Sequence, residues 1–201
     1  MEMRDPIETS HHAPVTPTTA DIADPGPLGL GAFALTTFVL SVFNAGLVNL
    51  GVVVVLGLAL AYGGLAQLLA GMWEFRKGNT FGAVAFTSFG AFWISFWVLL
   101  NTTPAVPAKA VGVYLLAWCI FTTYMIVPAL RTSGGVLAVF VALALTFLFL
   151  CIGAFGGSDN MTKIGGWLGL ITAVLAWYCS FAAVTNATWK RTVLPTWPLA
   201  R

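Results

Sequence analysis

The sequence predicts an all-α integral membrane protein, a six-transmembrane-helix bundle with N-in/C-in topology. Three observations predict it. Hydrophobic residues make up 59% of the 201 positions and charged residues 8%, where a soluble domain carries about 25% charged residues. Six apolar stretches each reach the roughly 20 residues that a helix needs to cross a hydrocarbon core about 30 Å thick. The cations outside those stretches fall unevenly on the two sides that an up-and-down path defines.

The first segment is different in kind. Residues 1–27 hold five acidic side chains, Glu2, Asp5, Glu8, Asp21 and Asp24, beside Arg4 and five prolines. A stretch so poor in apolar groups cannot bury enough surface to fold, and it is expected to be a disordered cytoplasmic tail. No apolar run precedes Leu28, so a secretory signal peptide is not expected. His11 and His12 lie in this tail without a third ligand nearby, and no metal site is expected there.

The membrane domain, residues 28–188, follows with spans at Leu30–Val48, Val52–Trp73, Phe81–Leu100, Val111–Leu130, Gly135–Phe155 and Gly165–Ala187. None of them contains Lys, Arg or Asp, and Glu74 falls just past the second. The connectors carry breaker chemistry: Asn49-Leu50-Gly51, Arg76 to Asn79, Pro104 to Pro107, Gly134-Gly135 and Gly156 to Asn160. Connectors this short return each helix directly across the bilayer. Residues 189–201 form a cytoplasmic C-terminal tail. With the N-terminus inside, Arg4, Arg76, Lys77, Arg131, Lys190, Arg191 and Arg201 lie inside, and only Lys109 and Lys163 outside. That asymmetry satisfies the positive-inside rule.

Other composition features exclude function classes. A net charge of +2 from scattered sources does not suit nucleic-acid binding. Cys119, Cys151 and Cys179 each sit in an apolar run; three thiols imply no disulfide framework and read as small hydrophobes in helix packing. The spans hold no histidine, no paired carboxylates and no phosphate loop, and no metal-ligand spacing occurs. An enzyme is not expected, and neither is a cofactor.

The remaining polar residues are patterned. Phe33, Thr37 and Asn44 fall within about 40° of one another on a helical wheel, with Ser41 at the margin. Gly63, Gln67, Gly71 and Glu74 share a side of the second span. Polar stripes do not face lipid without cost, so both stripes turn toward other helices or water, where interhelical hydrogen bonding alone could also account for them. Glu74 ends a helix, where the macrodipole disfavours an anion, and is expected to have a partner in Arg76, Lys77 or the amides opening the third helix. Asn79-Thr80 suits a cap for that helix.

Asp24-Pro25-Gly26-Pro27-Leu28-Gly29-Leu30 resembles the Asn-Pro-Ala-Pro-Leu-Gly-Leu signature of the acetate uptake transporter family. The similarity continues through Tyr62 to Gln67 and Ala70 to Phe75, and is strongest at Gly78 to Gly82, Ala85 to Gly90 and Phe92-Trp93. It extends through Gly112 to Leu115 and Gly165 to Leu170, and closes at Arg191-Thr192-Val193-Leu194-Pro195. The resemblance implies six-helix protomers in a homo-hexamer, each with a pathway for acetate and in some members succinate, as an anion channel or a proton-coupled carrier. It further implies a neck of three apolar or aromatic side chains, which map onto Phe33, Phe89 and, by gapless counting back from Ile152-Gly153, Ala144, with Leu143 or Leu145 as neighbours able to take its place. Candidate polar groups along the pathway are Thr37, Asn44, Gln67 and Thr87; Asp24, Pro25, Pro27, Gly29, Glu74, Asn79 and Thr80 carry the lead-in and structural motifs.

Three departures stand out. Asp24 replaces the leading asparagine, Phe89 stands where tyrosine is common, and Ala144 stands where leucine is usual. A carboxylic acid with a pKa near that of Glu, about 4.3, is ionised at pH 7 and meets a steep desolvation barrier in hydrocarbon, which such hydroxyls and amides would lower in part. The competing expectations are a channel for a neutral solute such as ammonia, urea or water, and a non-transporting sensor or assembly subunit. A plasma membrane, prokaryotic inner membrane most of all, is the expected location.

Overall fold

The structure, a computed structural model, describes residues 22–48, 53–102 and 106–199. The tail over residues 1–21 with His11 and His12, the Asn49-Leu50-Gly51 connector and Pro104 lie outside the described residues. Among the described residues, six helices are long and apolar enough to cross a membrane: α1 Gly26–Asn44, α2 Val53–Lys77, α3 Thr80–Asn101, α4 Ala108–Ala129, α5 Gly134–Gly156 and α6 Asp159–Trp189.

Local chemistry sets the ends. α1 begins at Gly26, four residues before the expected span, because Pro25 is its N-cap and Pro27 sits in the first turn, where proline's missing N–H costs nothing. Gly78 ends α2 at φ 80°, a left-handed conformation that glycine adopts without a Cβ clash. Asn79 then caps α3, its Oδ1 accepting from Gly82 N at 3.1 Å. Ser133 and Ser158 cap α5 and α6 by accepting from Val136 N and Met161 N, so α6 starts at Asp159, a turn and a half before its apolar run. Pro128 in the last turn of α4 precedes its end at Ala129.

The helices alternate in direction and close a ring in chain order. α1 packs extensively against α6 and along α2, α5 lies between α4 and α6, and α2 pairs with α3. Close approach comes from glycines: Gly166 meets the backbone of Asn44 and Ala45, and Gly71 meets Thr87. Backbones come least close between α3 and α4, and large side chains fill that seam. Phe89 and Phe92 of α3 make ring contacts with Trp118, Phe121 and Tyr114 of α4, and Tyr114 Oη bonds Ser95 Oγ at 2.7 Å. A buried cluster with Phe33, Phe89, Phe92, Phe140, Leu143 and Phe147 occupies the ring's middle.

α2 is interrupted by a π-helical segment, Ala61–Ala66. Such segments are frequent at functional sites because the extra residue per turn re-aims the side chains beyond it. Here it falls where Gly63 abuts Thr36, and it sets the rotation of Gln67 and Glu74.

Residues 190–199 fold back against the bundle. Gly134 N donates to Trp197 O at 2.7 Å and Leu199 N to Thr132 O at 3.0 Å. Tyr178 Oη donates to Pro195 O at 2.7 Å, and its ring stacks on Trp197. Asn186 binds the backbone of Val193 and Leu194 through both side-chain atoms. This strap rests beside the α4–α5 turn, on the side of the bundle that carries Arg76, Lys77, Arg131, Lys190 and Arg191.

Candidate functional site

Two cavities lie within the ring. One, of about 230 Å³, is lined among others by Asp24, Pro27, Phe33, Gln67, Glu74, Lys77, Asn79, Phe89, Phe140, Leu143 and Thr196. The other, of about 320 Å³, is lined among others by Phe33, Thr37, Ser41, Asn44, Phe92, Trp93, Tyr114, Leu143, Phe147 and Thr162. Phe33 and Leu143 line both. The two spaces therefore meet at these side chains, with Phe89 on the first side, its ring 5.6 Å from that of Phe33, and Phe92 on the second.

The polar stripe of α1 faces the second cavity as a unit: Thr37, Ser41 and Asn44 all line it. Threonine hydroxyls inside a membrane helix are usually satisfied by the carbonyl one turn back. Thr36, Thr122, Thr146 and Thr172 do this. Thr37 does not; its Oγ1 is buried with no partner, as is the Nε1 of Trp93 across the same cavity. A hydroxyl and an indole N–H without partners are donors available to a ligand's oxygen.

The stripe of α2 faces the other way. Gly63, Gln67, Gly71 and Glu74 are all buried, and Gln67 and Glu74 line the first cavity, each 1% exposed. Gln67 Oε1 and Glu74 Oε2 have no partner. Glu74 has two of its expected kinds of partner at the α2–α3 turn: the side chain of Asn79, the residue that caps α3, and the nearby charge of Lys77. The ammonium of Lys77 itself bonds Asp24 Oδ1 at 2.8 Å. Asp24 Oδ1 also accepts from Gly26 N at 2.9 Å, so the departure from asparagine at this position shapes both the start of α1 and the rim of the cavity.

The remaining candidates divide by location. Pro25 is buried at the head of α1, Pro27 O accepts from Ser180 Oγ, and Gly29 is covered by the Phe86 ring. Thr80 is exposed and leaves the capping to Asn79. Thr87 lines neither cavity and presses on Gly71 between α2 and α3. Ala144 also lines neither cavity; it is buried towards α4, where its carbonyl accepts from Cys119 Sγ at 3.7 Å. One residue on a helix is about 100° of rotation, and that rotation puts Leu143 at the junction. Leu145 is 40% exposed on the outside.

Phe140, Phe147 and Thr196 line the cavities without having stood out in the sequence, and Trp93 and Tyr114 line them from motifs that carried the resemblance without a role in the pathway. The spacing of Phe140, Leu143 and Phe147 at i, i+3 and i+7 marks a helix face, but the one hydroxyl of α5, Thr146, turns to Thr172 of α6, and the sequence does not say which apolar face meets the cavities. Nothing in the sequence marks Thr196, which reaches the first cavity through the strap.

Comparison with known proteins places this architecture. The family model described as the GPR1/FUN34/yaaH family matches residues 8–201. Ammonia transport outward protein 2 of Saccharomyces cerevisiae is 44% identical over 175 residues, 82% of this chain and 62% of that protein. The chain thus spans about three fifths of the length of such yeast relatives. The succinate-acetate/proton symporter SatP of Escherichia coli is 39% identical over 180 residues, 87% of this chain and 95% of SatP. A solved structure, that of the bacterial acetate channel SatP, superposes with a TM-score of 0.83 at 39% identity, covering 87% of this chain and 99% of that one. With the family model matched across the spans, the lead-in motif and the strap alike, this chain is a member of the GPR1/FUN34/yaaH family.

Proposed function

We propose that this protein is a membrane channel or proton-coupled carrier for acetate and related small monocarboxylates, with succinate at the upper end of its range. The observation that carries the proposal is the pair of cavities that share Phe33 and Leu143 as lining, with Phe89 beside Phe33, which this reading takes as the apolar neck between them. A carboxylate crossing such a neck loses water, and the penalty is lowered where donors stand ready to replace it. The Thr37 hydroxyl and the Trp93 indole N–H are unpartnered donors on one side, and Gln67, whose amide NH2 group can donate, lines the other. The similarity to SatP, named for succinate, acetate and protons, supports the substrate class.

In this proposal the side bearing Arg76, Lys77, Arg131, Lys190 and Arg191 faces the cytoplasm, and Lys109 and Lys163 face outward. The protein sits in the plasma membrane, an inner membrane in a prokaryote, as a homo-hexamer. Cysteines placed at Asp159 are labelled from outside intact cells and those at Lys77 or Arg131 are not; labelling at Lys77 would reverse the orientation.

A second proposal, a channel for neutral ammonia, draws support from the naming of the yeast relative and from a neck without a charged side chain. Radiolabelled acetate uptake into liposomes, with ammonia and urea as parallel solutes, separates the two. Saturable acetate uptake above protein-free liposomes supports the carboxylate pathway, and passage of ammonia alone refutes it.

A further inference from the structure

Lys77 is the one cation lining either cavity among the described residues. It stands at the rim of the smaller cavity, with its side chain 36% exposed, and its ammonium is held by the carboxylate of Asp24, which is 48% exposed. The geometry of the pair is that of an ammonium with a bound small carboxylate, except that the carboxylate belongs to the chain. Asp24 is tethered to this place twice, by the turn before α1 and by its bond to Gly26 N. Glu74, the other acidic group on the cavity, is buried beside Asn79 and feels the charges of both Lys77 and Asp24, but only Asp24 reaches the ammonium directly.

We infer that Lys77 is a recruiting site for the carboxylate of the transported anion, and that Asp24 occupies it as a built-in competitor which the incoming anion displaces. This rests on the carboxylate pathway proposed above. A free carboxylate and a tethered one bind the same ammonium with the same chemistry, and the tether gives Asp24 a high effective concentration. The recruiting site is therefore self-inhibited, and weak occupancy suits a pathway in which substrate has to leave as readily as it enters. Both groups are partly exposed, so the competition is modest and screened by salt.

The test uses the full-length protein, purified and also reconstituted in liposomes. Asp24→Asn is the informative variant, because the asparagine keeps an oxygen for Gly26 N and removes only the charge; Asp24→Ser serves if that variant fails to fold. The expected result is that Asp24→Asn lowers the half-saturating acetate concentration about two- to fivefold, the range of an exposed ion pair. The gain disappears in Asp24→Asn combined with Lys77→Gln, survives with Lys77→Arg, and shrinks at high ionic strength. Acetate binding to the detergent-solubilised protein, read by the broadening of the acetate methyl resonance, is measured on the same variants. If the wild type moves no acetate but Asp24→Asn tightens binding through Lys77, the transport proposal fails and the recruiting site stands. An unchanged or weaker acetate affinity in Asp24→Asn, including the case in which the freed lysine turns to Glu74, overturns the inference and leaves the pair a structural clasp.

Discussion

Exchanging the roles of two adjacent residues on α5 gives the sharpest test of the neck. Leu143 is 3% exposed, packed in the aromatic cluster, and lines both cavities; Ala144 is 8% exposed and lines neither. Leu143→Ala removes three carbon atoms from the junction, more than the one methylene by which propionate exceeds acetate. An apolar pocket that excludes one methylene discriminates by about 1–3 kcal/mol, so opening it raises the propionate-to-acetate and lactate-to-acetate flux ratios by about tenfold or more. The folded state loses about 2–3 kcal/mol, the lower part of the range for leucine truncation, because the site borders existing space. Ala144→Leu acts differently. The added atoms meet α4 near Cys119, and overpacking costs about 1–3 kcal/mol of stability with no change in the flux ratios. Uptake of acetate, propionate and lactate at matched membrane expression measures both variants. Ratios unchanged in Leu143→Ala but shifted in Ala144→Leu would refute the assignment and place residue 144 at the neck.

Three further expectations rest on particular contacts. Asn79→Ala removes the α3 cap and the partner of Glu74 together, so the thermal midpoint in detergent falls by more than for an ordinary cap loss of about 1 kcal/mol; a midpoint equal to wild type would show that water replaces both bonds. Gly166→Val drives a side chain into the Asn44–Ala45 backbone, and the α1–α6 pair no longer closes, which is read as loss of the folded species on size exclusion; a normal profile would contradict the close approach. Truncation after Lys190 uncovers Gly134 N, Thr132 O and the Tyr178 hydroxyl, and it lowers the thermal midpoint and speeds proteolysis at the α4–α5 turn; protection equal to wild type would show that the strap bears no part of the stability.

The six spans, their up-and-down order and the inward turn of both polar stripes were legible in the sequence for one reason. Water, lipid and backbone hydrogen bonding constrain a membrane chain so strongly that apolar length and helical periodicity nearly determine its layout. Phe33, Thr37 and Asn44 could be grouped on one face of α1, and Gln67 with Glu74 on one face of α2, because a polar residue in an apolar helix marks its own inward side. On α5 the one such mark, Thr146, turns to Thr172 of α6 and not to the cavities, and only tertiary packing decides which apolar side chains line them. On α5 the contest between Leu143 and Ala144 turns on a rotation of about 100°, which is set by the aromatic seam on one side and the glycine contacts of α6 on the other. The same holds for pairings between distant segments. The sequence left Glu74 a choice of partners; the fold set it beside Asn79 and Lys77 together, bonded Lys77 to Asp24, and drew residues 190–199 back to the cavity rim, because helix packing brings the start of α1, the end of α2 and the α4–α5 turn to one end of the ring.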